Sequence, residues 1–294
     1  MGCLISRNFW CMCRTAAEVR LGHYRAARPT LSRGVTAFQK CAVAVWSACA
    51  SAAFCASGAH AAELQAEIQL NLCSDPAQVV QRLQLAQEGK LTTVWLFDTA
   101  TQDLYRDGLR LRLRERGKRS ELTLKIAGQN CLQTDPVLLN AHGKCEADLH
   151  GDAFDDVVSL TRSLDAQARA ALLAPAVGRG APLAAALSAV LDTNQRALLA
   201  RRRGTTAGAP LIPQDIARLG PSTVRAYRHA KQPYVVEVWT LPGGAKFVEL
   251  SQKLRRGAAL ARRSEIQQEV AAKGVVICAD QDSQAQRKLE LLVE

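Results

Sequence analysis

Between Gly108 and Lys125 the chain reads GLRLRLRERGKRSELTLK, which sets Arg110, Arg112 and Arg114 at every second position. A strand repeats every two residues, so these three guanidinium groups share one face. Past a short polar turn, a second strand puts Glu121, Thr123 and Lys125 on one face. Two neighbouring strands then present cations, and Arg forks beside a Lys point charge suit phosphate oxygens. Taken alone, Arg-x-Arg-x-Arg on a strand is more often a solvated face. The elements around it must decide.

The first sixty or so residues have a different composition from the rest. Cys41 to Ser57 is an apolar, small-residue run preceded by Arg33 and Lys40, and it ends in Ala59-His60-Ala61 before Ala62. That layout is a secretory signal spanning about residues 35–61, with cleavage expected after Ala61. The division is therefore a leader over 1–61 and a single domain over 62–294. The run is short for a bilayer span and no other segment approaches 18 apolar residues, which favours an exported, periplasmic protein without a stable membrane span. The alternative is a membrane anchor through an uncleaved signal.

The leader holds seven of the 38 basic residues and one of the 27 acids, so the formal +11 falls to +5 for residues 62–294, 31 basic against 26 acidic. This mild excess does not suggest nucleic acid as a partner. Six of the ten cysteines also lie in the leader, leaving Cys73, Cys131, Cys145 and Cys278. An even set in an oxidising compartment admits two disulfides. Cys131 and Cys145 flank a stretch with Pro136 and Gly143, which favours that local pair and leaves Cys73 with Cys278. Buried free thiols are the alternative.

ELQAEIQLNL alternates without a break: Leu64, Ala66, Ile68, Leu70 and Leu72 take one face, Glu63, Gln65, Glu67, Gln69 and Asn71 the other. This is the period of a half-buried strand. Ser74 as N-cap, Pro76 in the first turn and Val79, Val80, Leu83 and Leu85 predict a helix ending near Gly89. Strands are expected from Leu91 to Phe97 and from Lys144 to Leu149. Residues 153–200 carry apolar side chains at helical spacing and are read as two helices, with a return to strand from Asn194 to Arg203. Arg201, Arg202 and Arg203 read as a solvated charge run. A hairpin joins Tyr234–Leu241 to Lys246–Leu254 across Pro242, Gly243 and Gly244, and a helix from Ala258 to Lys273 precedes a short strand near Val275–Ala279.

The ordered pieces Phe97-Asp98-Thr99, Gly108-Leu109-Arg110-Leu111-Arg112, Thr123-Leu124-Lys125 and Lys144-x-Glu146 resemble the CYTH superfamily, the triphosphate tunnel metalloenzymes, and within it the bacterial inorganic triphosphatases. The resemblance covers about Glu67 to Leu292. It implies an α+β fold: an antiparallel β-barrel with flanking helices, whose polar faces point into a tunnel. It further implies Arg110, Arg112, Lys125, Lys144, Arg196 and Arg287 as phosphate-binding residues, with Glu67, Glu146 and Glu249 as metal-facing acids for Mg²⁺ or Mn²⁺. The partner implied is a small polyphosphate-like anion; the oligomeric state is left open.

Departures from the family pattern fall on the catalytic side. The opening E-x-E-x-K reads Glu67-Ile68-Gln69-Leu70-Asn71, and the closing E-x-E reads Glu249-Leu250-Ser251. Gln69 and Ser251 each replace an acid, which weakens a site for a hard divalent cation. Gln284 stands where the family's Ser-Lys pair has its Lys. No P-loop and no G-x-S-x-G elbow points to another enzyme class. The reading is an exported CYTH-like protein that binds a triphosphate-like or polyphosphate-like anion with little hydrolysis. The alternatives are an active divalent-metal-dependent triphosphatase and a non-catalytic envelope interaction module.

Overall fold

The alternation in β1 (Gln65–Leu72) sorts its side chains as the period requires: Ala66, Ile68 and Leu70 are 1 %, 0 % and 0 % exposed, while Glu67 and Gln69 turn the other way. The computed structural model describes residues 64–133, 143–204, 210–281 and 283–293. The leader, its expected cleavage after Ala61, and the side chains of Ser283 and Gln284 lie outside the described residues.

After β1 come α1 (Pro76–Arg82), β2 (Leu85–Asp98), α2 (Asp103–Arg106), β3 (Leu109–Arg116), β4 (Arg119–Ile126), β5 (Gly143–His150) and β6 (Ala153–Ser163). Three helices follow, α3 (Ala166–Leu173), α4 (Gly180–Val190) and α5 (Thr193–Arg203). The chain closes with β7 (Ala217–His229), β8 (Val235–Thr240), β9 (Lys246–Arg255), α6 (Arg256–Ala272) and α7 (Ser283–Val293). Nine strands among the described residues close into a barrel in the order β1-β5-β6-β4-β3-β2-β7-β8-β9. The barrel is mostly antiparallel, with one departure: β1 and β5 run parallel, pairing Glu67 with Asp148.

The apolar faces lie outside the barrel, under helices. Leu109, Leu111 and Leu113 of β3 and Leu122, Leu124 and Ile126 of β4 join Leu183 and Leu187 of α4 and Leu198 and Leu199 of α5 in one core. Ile68 and Leu70 of β1, Val236 of β8 and Leu250 of β9 pack with Val79 of α1 and Ala259, Ile266 and Val270 of α6 in another. Each fully buried Leu contributes roughly 1.5–3 kcal/mol relative to exposure. With the outer faces buried, the polar faces are left to line the lumen.

Several sequence-based expectations are corrected. Helix α1 is capped by Asp75 and stops at Leu83, because Gln84 turns to φ 52° and Leu85 already opens β2. The helical spacing that starts at Val157 and Leu160 belongs to a strand, β6, whose Val157, Val158 and Thr161 are β-branched and which ends just before Leu164. Conversely, Asn194 to Arg203 is helical: Asp192 and Gln195 form a capping box and Gly204 ends the helix in the left-handed region. β7 and α7 were not anticipated, and Val275–Ala279 contributes only a bridge from Ile277 to Leu72.

The Arg run at the end of α5 is also more than a solvated surface. Arg202 Nε donates to the Asp107 carbonyl at 2.8 Å, and Arg203 Nη1 to the Leu211 carbonyl at 2.8 Å. The first bond holds the turn that launches β3. Gly108 in that turn has φ +73°, and a Cβ there would meet Arg202 Nη2 at 2.8 Å. Two disulfides are present: Cys73 with Cys278, Cα atoms 5.0 Å apart, and Cys131 with Cys145, 5.5 Å apart.

Candidate anion-binding tunnel

Because β3 and β4 pair in register, Arg110 faces Lys125, Arg112 faces Thr123 and Arg114 faces Glu121. All six line a cavity of about 690 Å³ inside the barrel. Its charged lining comprises nine Lys or Arg side chains and five Asp or Glu, and the excess remains positive when the adjacent Glu146 and Asp148 are included. Such a lumen favours an anion.

Two features of the basic wall point the same way. The Nε atoms of Arg112 and Arg114 are buried and make no hydrogen bond. A buried donor without a partner costs about 1–3 kcal/mol, so these groups are poised for an acceptor from outside the chain. Burial, followed by repulsion from Arg114, pulls Arg112 down to about 9 despite Glu237, Glu249 and Glu67 nearby. It is therefore still a cation at neutral pH. Arg110 sits over the Tyr105 ring at 5.5 Å.

Asp98 of the Phe-Asp-Thr motif has a positioning role. Its carboxylate accepts from the backbone N–H groups of Thr99, Leu104 and Tyr105 at 2.8, 2.9 and 3.0 Å, fixing α2 and the turn into β3. Burial raises its pKa in spite of those three donors.

Opposite the Arg wall, β1, β5 and β9 bring acids and lysines together. Carboxylate oxygens of Glu67, Glu146 and Asp148 lie within 4.8 Å of one another. By donor type and spacing this buried group could hold a divalent ion. Three lysines already stand beside it, although the two buried Asp148 oxygens make no hydrogen bond. Lys253 Nζ donates to both Glu146 oxygens at 2.7 and 2.9 Å and lies 3.6 Å from Glu67; Lys144 Nζ donates to Glu146 at 2.6 Å; Lys125 Nζ is 3.6 Å from Asp148. A divalent ion does not fit this arrangement unless an ammonium leaves. Burial favours protonation of Glu146, but the hydrogen bonds from Lys144 and Lys253 prevail and hold it below the usual carboxylate range. In Glu67 burial prevails over Lys253 and Lys125, and the neighbouring Asp148 and Glu146 add to it, so its pKa is raised. Lys253 is raised against its own burial by Glu67 and Glu146, whereas burial lowers Lys144.

Glu249 stands apart from the three-acid group. It accepts from Lys288 Nζ at 3.1 Å, and Lys288 also lies 5.1 Å from the Trp239 ring centroid. Burial pushes Glu249 up, but Lys288, His150 and Lys125 pull it below its ordinary value. In the β1–β9 register Gln69 pairs with Ser251, Glu67 with Lys253 and Asn71 with Glu249. The two positions that lack an acid therefore face each other on the wall.

Of the residues expected in the site, Arg110, Arg112, Lys125, Lys144, Glu67 and Glu249 line the cavity and Glu146 lies beside it. Arg196 does not: α5 is outside the barrel, and Arg196 Nη1 donates to the Ser188 carbonyl at 3.2 Å. Arg287 is also misplaced by the sequence reading, lining a separate groove with Cys73 and Cys278, while its neighbour Lys288 enters the lumen. One residue along a helix is a turn of 100°, enough to exchange faces. The sequence reading left Arg114 unassigned and missed Lys253 and Lys288. Period two, continued from Arg112 and from Glu249 through Ser251, would have found the first two.

Comparison with protein-family models and with curated proteins returns no match. Among solved structures, a candidate adenylyl cyclase from Hippeastrum with a dominant triphosphatase activity matches 79 % of this chain and 99 % of its own, at 16 % identity and TM-score 0.48. A candidate adenylate cyclase from Bacillus halodurans matches 76 % of this chain and 97 % of its own, at 13 % and 0.48. An inorganic triphosphatase, in two structures, matches 67 % of this chain and 80 % and 81 % of its own, at 14 % identity and TM-scores of 0.23 and 0.22. The strand order of this chain closes a barrel, and Asp98, Arg110, Arg112, Lys125 and Lys144 of its ordered motifs line the polar lumen.

Proposed function

We propose that the tunnel binds an inorganic triphosphate-like or polyphosphate-like anion, with little or no hydrolysis, in an exported protein. The observation that carries this reading is the pair of buried, unpartnered Nε donors on Arg112 and Arg114 in a lumen with excess positive charge. Arg110 and Lys125 extend the same wall. Gln69 facing Ser251, and lysines already neutralising the remaining acids, argue against efficient metal-assisted hydrolysis. Export is supported by the signal-like leader and by two disulfides, which persist in oxidising compartments. Under this reading residues 1–61 are removed or serve as an anchor and 62–294 form the binding domain. Among the described residues no helix is long and apolar enough to cross a membrane.

The test is calorimetric titration of tripolyphosphate at low salt. Binding that weakens in Arg110→Ala supports the proposal; no binding, with Arg110→Ala making no difference, favours an interaction module that kept only the fold. A second reading, an active triphosphatase, draws on Asp148 as a third carboxylate beside Glu67 and Glu146. Phosphate release from tripolyphosphate with Mg²⁺ or Mn²⁺, lost in Glu67→Ala, would establish it.

A further inference from the structure

The β1–β9 register places Lys253 directly opposite Glu67, one inward position beyond the Gln69–Ser251 pair. Its ammonium grips both oxygens of Glu146 at 2.7 and 2.9 Å and stands 3.6 Å from Glu67. A divalent ion bridging those two carboxylates would need the same place. An ammonium has three N–H donors and no acceptor, and Glu146 takes two of them. One donor remains for a ligand in the lumen, which Lys253 lines.

Charge supports the same assignment. Glu67, Glu146 and Asp148 are balanced by Lys125, Lys144 and Lys253, so the cluster is formally neutral before any metal enters. Adding two positive charges opposite the Arg wall is unfavourable, and Mg²⁺ gives up its water reluctantly to poor ligand sets. The two acids absent from this wall face each other as an amide and a hydroxyl, neither of which restores the charge a metal site needs.

We propose that Lys253 is the tunnel's built-in cation, holding Glu67 and Glu146 in the place a divalent ion would take and offering its third N–H to a phosphate oxygen, so that anion binding is metal-independent. The ligand half of this assignment rests on the polyanion reading above. The metal half rests on the geometry and charge of the cluster and is independent of that reading.

Two measurements on the full chain test it. In a Mn²⁺ titration followed by electron paramagnetic resonance, wild type and Lys253→Arg should leave the ion free, while Lys253→Ala should gain a site with affinity at least about tenfold higher. Tripolyphosphate should bind wild type equally in EDTA and in Mg²⁺, and more weakly to Lys253→Ala in EDTA. Mn²⁺ binding to wild type as tight as to Lys253→Ala would overturn the assignment, as would tripolyphosphate binding that requires Mg²⁺. Should circular dichroism show Lys253→Ala unfolded, the wild-type Mn²⁺ titration and the EDTA comparison decide it. Absence of tripolyphosphate binding in both buffers would overturn the polyanion reading instead, and the Mn²⁺ comparison would still decide the metal half.

Discussion

At the scale of single residues, the tunnel separates side chains whose donors are unpartnered from those that hold the wall. Arg112 has a buried donor with nothing to bond, whereas Arg196 and Arg202 spend theirs on backbone carbonyls. Arg112→Ala should therefore weaken tripolyphosphate binding by about 10- to 100-fold at low salt, the range of charge-assisted hydrogen bonds. Arg196→Ala should leave it unchanged. Glu249 gives a pH signature. Its pKa is lowered in the folded protein, so the Glu249–Lys288 pair stabilises fully above the ordinary carboxylate value of 4.5 and is lost as pH falls through the depressed folded value. Thermal melts of Glu249→Gln should accordingly lose less stability than wild type between about pH 5 and pH 3.

Among the elements, alternation was the legible part. Glu67 and Gln69, Arg110 and Arg112, and Glu121 to Lys125 announce inward faces because a pleated strand leaves them no other side. What the alternation does not say is which side is wet. Only closure of the sheet, with α4, α5 and α6 covering the outer leucines, turns the polar face into a lumen. β6 was hidden because Val157, Leu160 and Leu164 suit a helix as well as a strand, and β7 because Gly220-Pro221 interrupts its pattern. The signal for α5 was present in Asp192 and Gln195, a capping box overlooked beside Leu198 and Leu199. Asp98 shows how a motif residue acts through an element, since its carboxylate secures α2 ahead of β3. Asp98→Ala should lower stability by about 1–3 kcal/mol, because buried N–H groups lose their acceptor. Denaturant melts would register this as an earlier midpoint, with anion affinity in the folded fraction reduced less than in Arg112→Ala.

For the whole molecule, barrel closure ties together residues far apart in the chain, and the Cys73–Cys278 bond links two positions 205 apart. Replacing both with Ser should cost about 2–5 kcal/mol, read as a lower Tm under oxidising conditions. Lys288 follows Cys278 by ten residues and reaches Glu249 in the lumen, so the same bond helps keep α7 near the tunnel. The sequence disclosed the barrel's charge and missed its far contributor, because the face on which Lys288 sits depends on where α7 begins. The central claim is that the unpartnered Nε donors of Arg112 and Arg114 receive a phosphate chain. Titration calorimetry with tripolyphosphate at low salt, run in parallel on wild type, Arg112→Ala and Arg287→Ala, tests it most directly. The account predicts saturable binding to wild type and Arg287→Ala with a marked loss in Arg112→Ala; equal affinity in all three, or no heat in any, would contradict it.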